Sequence, residues 1–142
     1  PDYFDTFWKI GINGAKSLEQ NNIKIVSLGK HFLLDIYGCK NKSLHDPNVV
    51  QVIIEEVASA MSATIVSSHF HHFSPLGVSG VLIISESHIT VHTWPEYDYA
   101  AIDVFSCGEL NMDAGIEKIK ELFDTHEVKI FFTSRGQNLN GT

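Results

Sequence analysis

Between Gly77 and Gly108 the chain reads GVSGVLIISESHITVHTWPEYDYAAIDVFSCG. This stretch gathers Ser79, Ser85, Ser87, His88, His92, Glu96, Asp103 and Cys107. Hydroxyls and a thiol are nucleophiles once a base takes their proton, and imidazole titrates near neutral pH, so such a group can form a reactive site. Residue types alone do not select the reaction, because serines and histidines on strands are also ordinary solvent-facing or hydrogen-bonded side chains. A rival constellation lies in the histidines. His69 and His71 are two apart and share one face of a strand, and with His92 they offer three imidazoles for a zinc or iron site. No acidic second shell accompanies them in the sequence, and that reading leaves the serines unused.

These residues need strands to hold them. His88, Thr90, His92 and Trp94 alternate with Ile89, Val91 and Thr93, which is strand period, and Pro95 stops the run. VSGVLIISE (78–86) precedes it almost without a break, and TIVSSHFHHF (64–73), YAAIDVFS (99–106) and VKIFFTS (128–134) read as further strands. HFLLDIYG (31–38) is a short apolar run closed by Gly38 and reads as a buried strand. Asp46-Pro47 opens a helix, with Asp as N-cap and Pro at the first helical position. Val49, Val50, Ile53, Ile54, Val57 and Met61 then form its apolar stripe. Asn111 or Asp113 caps a second helix, on which Ile116, Ile119, Leu122 and Phe123 share a face. The order β, α, several strands, α, β predicts an α+β fold, a two-layer sandwich of an antiparallel sheet with both helices on one face. Residues 1–27 lack regular patterning and are expected to form an N-terminal extension to a domain over 28–142, with a mobile tail from Arg135.

Composition narrows the class. The chain has 142 residues, 44% hydrophobic and 19% charged, which suits one soluble globular domain. The net charge of −7 weighs against nucleic-acid binding, which calls for a basic face. No apolar run approaches the roughly 20 residues that cross a bilayer, so no membrane association is expected. The first residues, PDYFDTFWKIG, lack the basic region and apolar stretch of a secretory signal. Cys39 and Cys107 make neither a CxxC pair nor a disulfide framework, which points to a reducing, cytoplasmic setting. Cys39 has no motif around it and reads as structural.

The block GVSGVLIISESHITVHTWPEYDYAAIDVFSCG resembles the self-cleaving segment of the prokaryotic-type S-adenosylmethionine decarboxylases. The similarity runs from about Gly29 to Val128 or beyond and includes GKHFLLDIYG and ATIVSSHFHHFSPLGVSG, with no departure at a motif position. The resemblance implies a proenzyme that cuts itself between Glu86 and Ser87, turning Ser87 into a covalent pyruvoyl cofactor. Glu86 supplies the attacked carbonyl and becomes the new C-terminus, while Ser79 and His92 assist processing. Cys107 is implied as the proton donor in turnover, Phe73 as the ring that stacks on adenine, and Glu96 as the holder of the ribose hydroxyls. The implied substrate is S-adenosylmethionine, and the product is the aminopropyl donor for spermidine. The implied assembly is a homodimer of cleaved protomers, two sheets side by side with active sites at the interface.

Some physical demands of this chemistry are independent of the resemblance. A serine attacks the preceding carbonyl only where the backbone presents it, the ester must then lose the Ser87 α-proton to a base such as His92, and the resulting ketone serves as an electron sink for an amine substrate. Any amino acid would satisfy the sink, so arginine or ornithine stands as the alternative substrate. A processing-incompetent regulatory module is the remaining alternative, and the presence of Ser87, His92 and Cys107 together argues against it.

Overall fold

The computed structural model describes residues 27–137. The extension expected over 1–27 lies outside those residues except for Ser27, and so does the end of the expected tail. The elements are β1 (Ser27–Tyr37), α1 (Pro47–Ala60), β2 (Thr64–His72), β3 (Val78–Ser85), β4 (Ser87–Trp94), a 3₁₀ turn (Pro95–Tyr97), β5 (Tyr99–Ser106), α2 (Met112–Phe123) and β6 (Glu127–Gln137). The six strands form one sheet in the order β2-β3-β4-β5-β1-β6, and every neighbouring pair is antiparallel. This is the α+β two-layer sandwich that the element order predicts.

Local chemistry sets the helices. The Asp46 carboxylate accepts from the Asn48 backbone N–H at 2.8 Å, and Pro47 occupies the first helical position. Asn111, rather than Asp113, caps α2 by accepting from the Ala114 N–H. Val50, Ile53, Ile54 and Val57 of α1 and Ile116, Ile119 and Phe123 of α2 are buried in one core, against alternate residues of the strands. Gly115 lets the two helices meet: a Cβ there would lie 2.3 Å from the Met61 side chain.

Strand period divides the sheet into two faces. Leu82, Ile84, Ile89, Val91, Ile102 and Val104 point into the helix-covered core. Their neighbours Ser79, Val81, Ile83, His88, Thr90, His92, Asp103 and Phe105 point to the opposite face, and no described element covers it. β1 and the edge strand β6 run longer than the sequence patterning suggests: β1 begins at Ser27 and β6 extends to Gln137, into the tail expected to be mobile, because the two pair along nearly their whole length. Backbone pairing, not apolar alternation, extends these ends.

Thr93 ties the sheet to the loop before α1. Its buried hydroxyl donates to the Leu44 carbonyl at 2.8 Å and accepts from the Val78 N–H at 2.9 Å. Thr93→Val should strand both buried backbone groups and cost about 1–3 kcal/mol. Urea unfolding of the protein carrying Ser87→Ala, so that only one chain species is present, measures the loss. A midpoint equal to that of the Thr93 parent would show that the hydroxyl contributes nothing.

Candidate active site

Ser87 opens β4 immediately after a two-residue connection. Ile84 pairs with Ser87 across the β3–β4 hairpin, so Ser85 and Glu86 alone make the turn. Two-residue hairpin turns favour glycine, asparagine or aspartate, and none is present here. The consequence appears one residue on: Ser87 has φ of 108°, a region that a side chain rarely occupies, at a cost on the order of 1–3 kcal/mol. The strand ladders on both sides of β4 hold it there, with Ser87 paired to Ile84 of β3 and to Ser106 of β5. Its hydroxyl lies 3.4 Å from the Cys107 sulfur, just past the end of β5. Cys107 is exposed and Cys39 is buried.

Ser79 and His92 form a second group. They are directly paired across β3 and β4, and the Ser79 hydroxyl lies 2.7 Å from His92 Nδ1. Phe73 follows the end of β2 at this same end of the sheet, half exposed, with its ring 4.7 Å edge-on to His71. Its N–H donates to the Gly77 carbonyl and closes the loop that leads into β3. Glu96 lies on the 3₁₀ turn directly after β4, with an exposed side chain. Trp94 and Tyr99 stack beside it at 5.3 Å, and the Tyr99 hydroxyl donates to Asp35 at 2.8 Å. Burial, and then the Asp35 carboxylate, push the Tyr99 phenol up to about 12.

The seven expected site residues therefore fall into two clusters. Glu86, Ser87 and Cys107 lie at one end of the sheet, and Phe73, Ser79, His92 and Glu96 at the other. Ser87 and His92 are five residues apart on one strand, which at strand rise is about 16 Å. An imidazole side chain does not span that gap, so within one chain His92 does not reach Ser87.

His71 lies opposite Ser79, which lies opposite His92, and His69 lies opposite Val81, so these histidines share the open face. Among the described residues no group of three histidine, cysteine or acidic side chains is close enough to hold a metal ion. His88, singled out in the sequence, also occupies this face, with His31, Phe105 and Arg135, which the sequence did not single out. His31 and His88 flank the Phe105 ring at 5.6 and 5.7 Å, and the Arg135 guanidinium lies over it. Nothing in local spacing links residues 31, 88, 105 and 135; only the strand order brings them together.

The fold and this arrangement define a class: a two-layer α+β domain that carries a strained serine and a thiol at one tip of an open sheet. Similarity to known proteins makes it specific. Residues 30–136 match the family model described as S-adenosylmethionine decarboxylase. An S-adenosylmethionine decarboxylase proenzyme of Acidithiobacillus ferrooxidans is 44% identical over 112 residues, covering 78% of this chain and 84% of that protein. One from Thermotoga maritima is 43% identical, covering 78% and 86%. The crystal structure of the adenosylmethionine decarboxylase from Aquifex aeolicus superposes with a TM-score of 0.69 at 30% identity, over 78% of this chain and 92% of that one. A Trypanosoma brucei AdoMetDC monomer, 16% identical, shares the fold with a TM-score of 0.56 over 85% of this chain and 57% of its own. The chain belongs to the S-adenosylmethionine decarboxylase family.

The two thiols differ in chemistry. Burial, reinforced by the Asp98 carboxylate, raises Cys39 to about 11, so it stays protonated at ordinary pH. Iodoacetamide at pH 8 should label Cys107 and leave Cys39 unmodified until the protein unfolds. Peptide mass mapping reads this directly, and equal labelling of both in the native state would contradict the burial of Cys39.

Proposed function

We propose that this chain is a proenzyme that cuts itself between Glu86 and Ser87 and then decarboxylates S-adenosylmethionine through the pyruvoyl group so formed. The observation that carries this reading is the strained Ser87 in a two-residue turn, with the Cys107 thiol 3.4 Å from its hydroxyl. Strain at the scissile position favours attack, because breaking the Glu86–Ser87 amide releases it. The Ser87 oxygen bonds to the Glu86 carbonyl carbon, the amide C–N bond breaks, and an ester joins the two segments. A base then removes the Ser87 α-proton, and the ester C–O bond breaks to leave Glu86 as a free carboxylate. Water replaces the nitrogen of the remaining segment, and ammonia leaves.

The residues present fit the group that results. Ser87 is half-buried at the tip of the β3–β4 hairpin, and an exposed thiol stands beside it. The pyruvoyl ketone, once formed, supplies the electron sink for loss of carbon dioxide. Cys107 would carry the proton on its sulfur and deliver it to the substrate's Cα once carbon dioxide has left. Phe73 offers an exposed ring for adenine, and Glu96 a carboxylate for the ribose hydroxyls. These two residues favour S-adenosylmethionine over arginine or ornithine, neither of which has a nucleoside to engage them. The catalytic domain in this reading is residues 28–142, with 1–27 as an extension, and both cysteines being free accords with a cytoplasmic setting.

A second copy of the chain completes the site. His92 is about 16 Å along β4 from Ser87, so the base for the α-proton must come from elsewhere. Two copies related by a two-fold axis, with their open faces together, would set the Ser87 end of one sheet against the Ser79–His92 end of the other. Stacked sheets lie about 10 Å apart, a gap that facing side chains fill. Phe131, Ile83 and Leu33 on that face are apolar and exposed, and gain from being covered. The protein in this reading is a homodimer with two shared active sites.

Wild-type protein should separate on a denaturing gel into fragments 1–86 and 87–142, whereas Ser87→Ala stays whole and loses all decarboxylation of labelled S-adenosylmethionine. Labelled arginine and ornithine assayed alongside should release no carbon dioxide. Cleavage at the same bond in Ser87→Ala would sink the assignment.

Sharing of the site has its own test. His92→Ala alone should stall before complete cleavage, in part as an ester that hydroxylamine opens. Co-expressed with tagged Ser87→Ala, the His92→Ala chain should be cut, because the partner's intact imidazole reaches its Ser87. If the mixed dimers leave it uncut, His92 does not act between chains.

A further inference from the structure

We propose that Ser106 is a positioning residue for the catalytic thiol, fixing the turn that holds Cys107 against Ser87. The inference rests on the assignment of Cys107 as proton donor. Ser106 is the last residue of β5 and the direct cross-strand partner of Ser87. It is one of three buried polar residues among those described, at 3% exposure. A buried hydroxyl needs partners, and this one finds both in the same residue. It donates to the Gly108 carbonyl and accepts from the Gly108 N–H, each at 3.0 Å. Ser106 and Gly108 thus clasp the chain on either side of Cys107.

Geometry explains why the clasp matters. As part of β5, Ser106 is fixed on one side by Ser87 and on the other by Lys30 of β1. Cys107 is the first residue beyond the ladder, exposed and with no cross-strand partner to set its direction. Two hydrogen bonds across it convert a fraying strand end into a fixed turn. Lys30 adds a weaker tether, pairing with Glu109 at 3.1 Å on the surface. The sulfur then stands 3.4 Å from the Ser87 oxygen, beside the group that Ser87 would become, from where it could pass a proton to the Cα of a substrate held there. Proton transfer tolerates little displacement, so a thiol that swings free should turn over poorly although its chemistry is intact.

The test compares Ser106→Ala with Ser106→Thr, which keeps the hydroxyl, on the cleaved enzyme. Ser106→Ala should lower kcat roughly tenfold or more with KM changed less than about twofold, since substrate binding lies at other residues. Thr should restore most of the kcat. Independently of activity, iodoacetamide should modify Cys107 at least about threefold faster in Ser106→Ala, because thiol reactivity follows access and environment. Cys39 in the same sample reports whether the fold has opened and should stay unmodified. Should Ser106→Ala not fold, Gly108→Pro removes the N–H that Ser106 accepts while leaving the serine in place, and should give the same kcat and labelling changes. Wild-type kcat and wild-type Cys107 labelling in either folded variant overturns the proposal. A fall in kcat with unchanged labelling also overturns it, since the thiol has then not moved. Because labelling does not depend on decarboxylation, its result stands apart from the success or failure of the substrate assignment.

Discussion

The φ of 108° at Ser87 is the constraint around which the rest of this domain is organised. A serine left to itself would relax to the ordinary extended region, and the two-residue turn before it has no glycine to absorb the bend. It is held because β4 is paired on both sides, to β3 and to β5, and both ladders begin at Ser87 itself. Those ladders are in turn anchored by the buried row Ile89, Val91 and Thr93 pressed against the helices. The stability of the core is in this sense what sustains an unfavourable backbone at the surface, next to the bond proposed to be cut.

The same rigidity makes the sheet a ruler. Strand rise and register put Ser87 and Cys107 at one end and Ser79, His92, Phe73 and Glu96 at the other, and no side-chain rotation closes the distance. In the proposed dimer, a second copy lying on the bare face would supply the half of the site that this distance withholds. The bare face carries Ser79 and His92 beside the exposed apolar Leu33, Ile83 and Phe131, whereas Ser87 stands at the sheet's tip in register with the buried Ile84 and Ser106.

Electrostatics has a modest part. The described ion pairs join exposed or partly exposed side chains and contribute little. Among the perturbed groups are Cys39, which is buried, and Tyr99, whose phenol is bound to Asp35. Both are raised by burial, and both stay protonated near neutral pH. They serve as fixed hydrogen-bonding and packing groups rather than as titrating ones.

The sequence by itself determined the elements and the family. Alternation along 87–94, Asp46-Pro47 at the start of the first helix and Asn111 before the second are local signals, and local signals are legible because a period or a cap is written in consecutive residues. The motif from Gly77 to Gly108 is likewise contiguous. The tertiary structure decided what depends on residues distant in the chain. It extended β1 and β6 to their paired length, aligned His31, Phe105 and His88 in one row and brought Arg135 over the Phe105 ring. It also separated His92 from Ser87, although they stand five apart in sequence, because an extended strand turns sequence neighbours into distant points. Ser106 shows the boundary between the two. A serine two residues before a glycine at a strand end is a recognisable turn signal, but its importance came from being cross-strand to Ser87. That relation exists only once β4 and β5 are hydrogen-bonded in register.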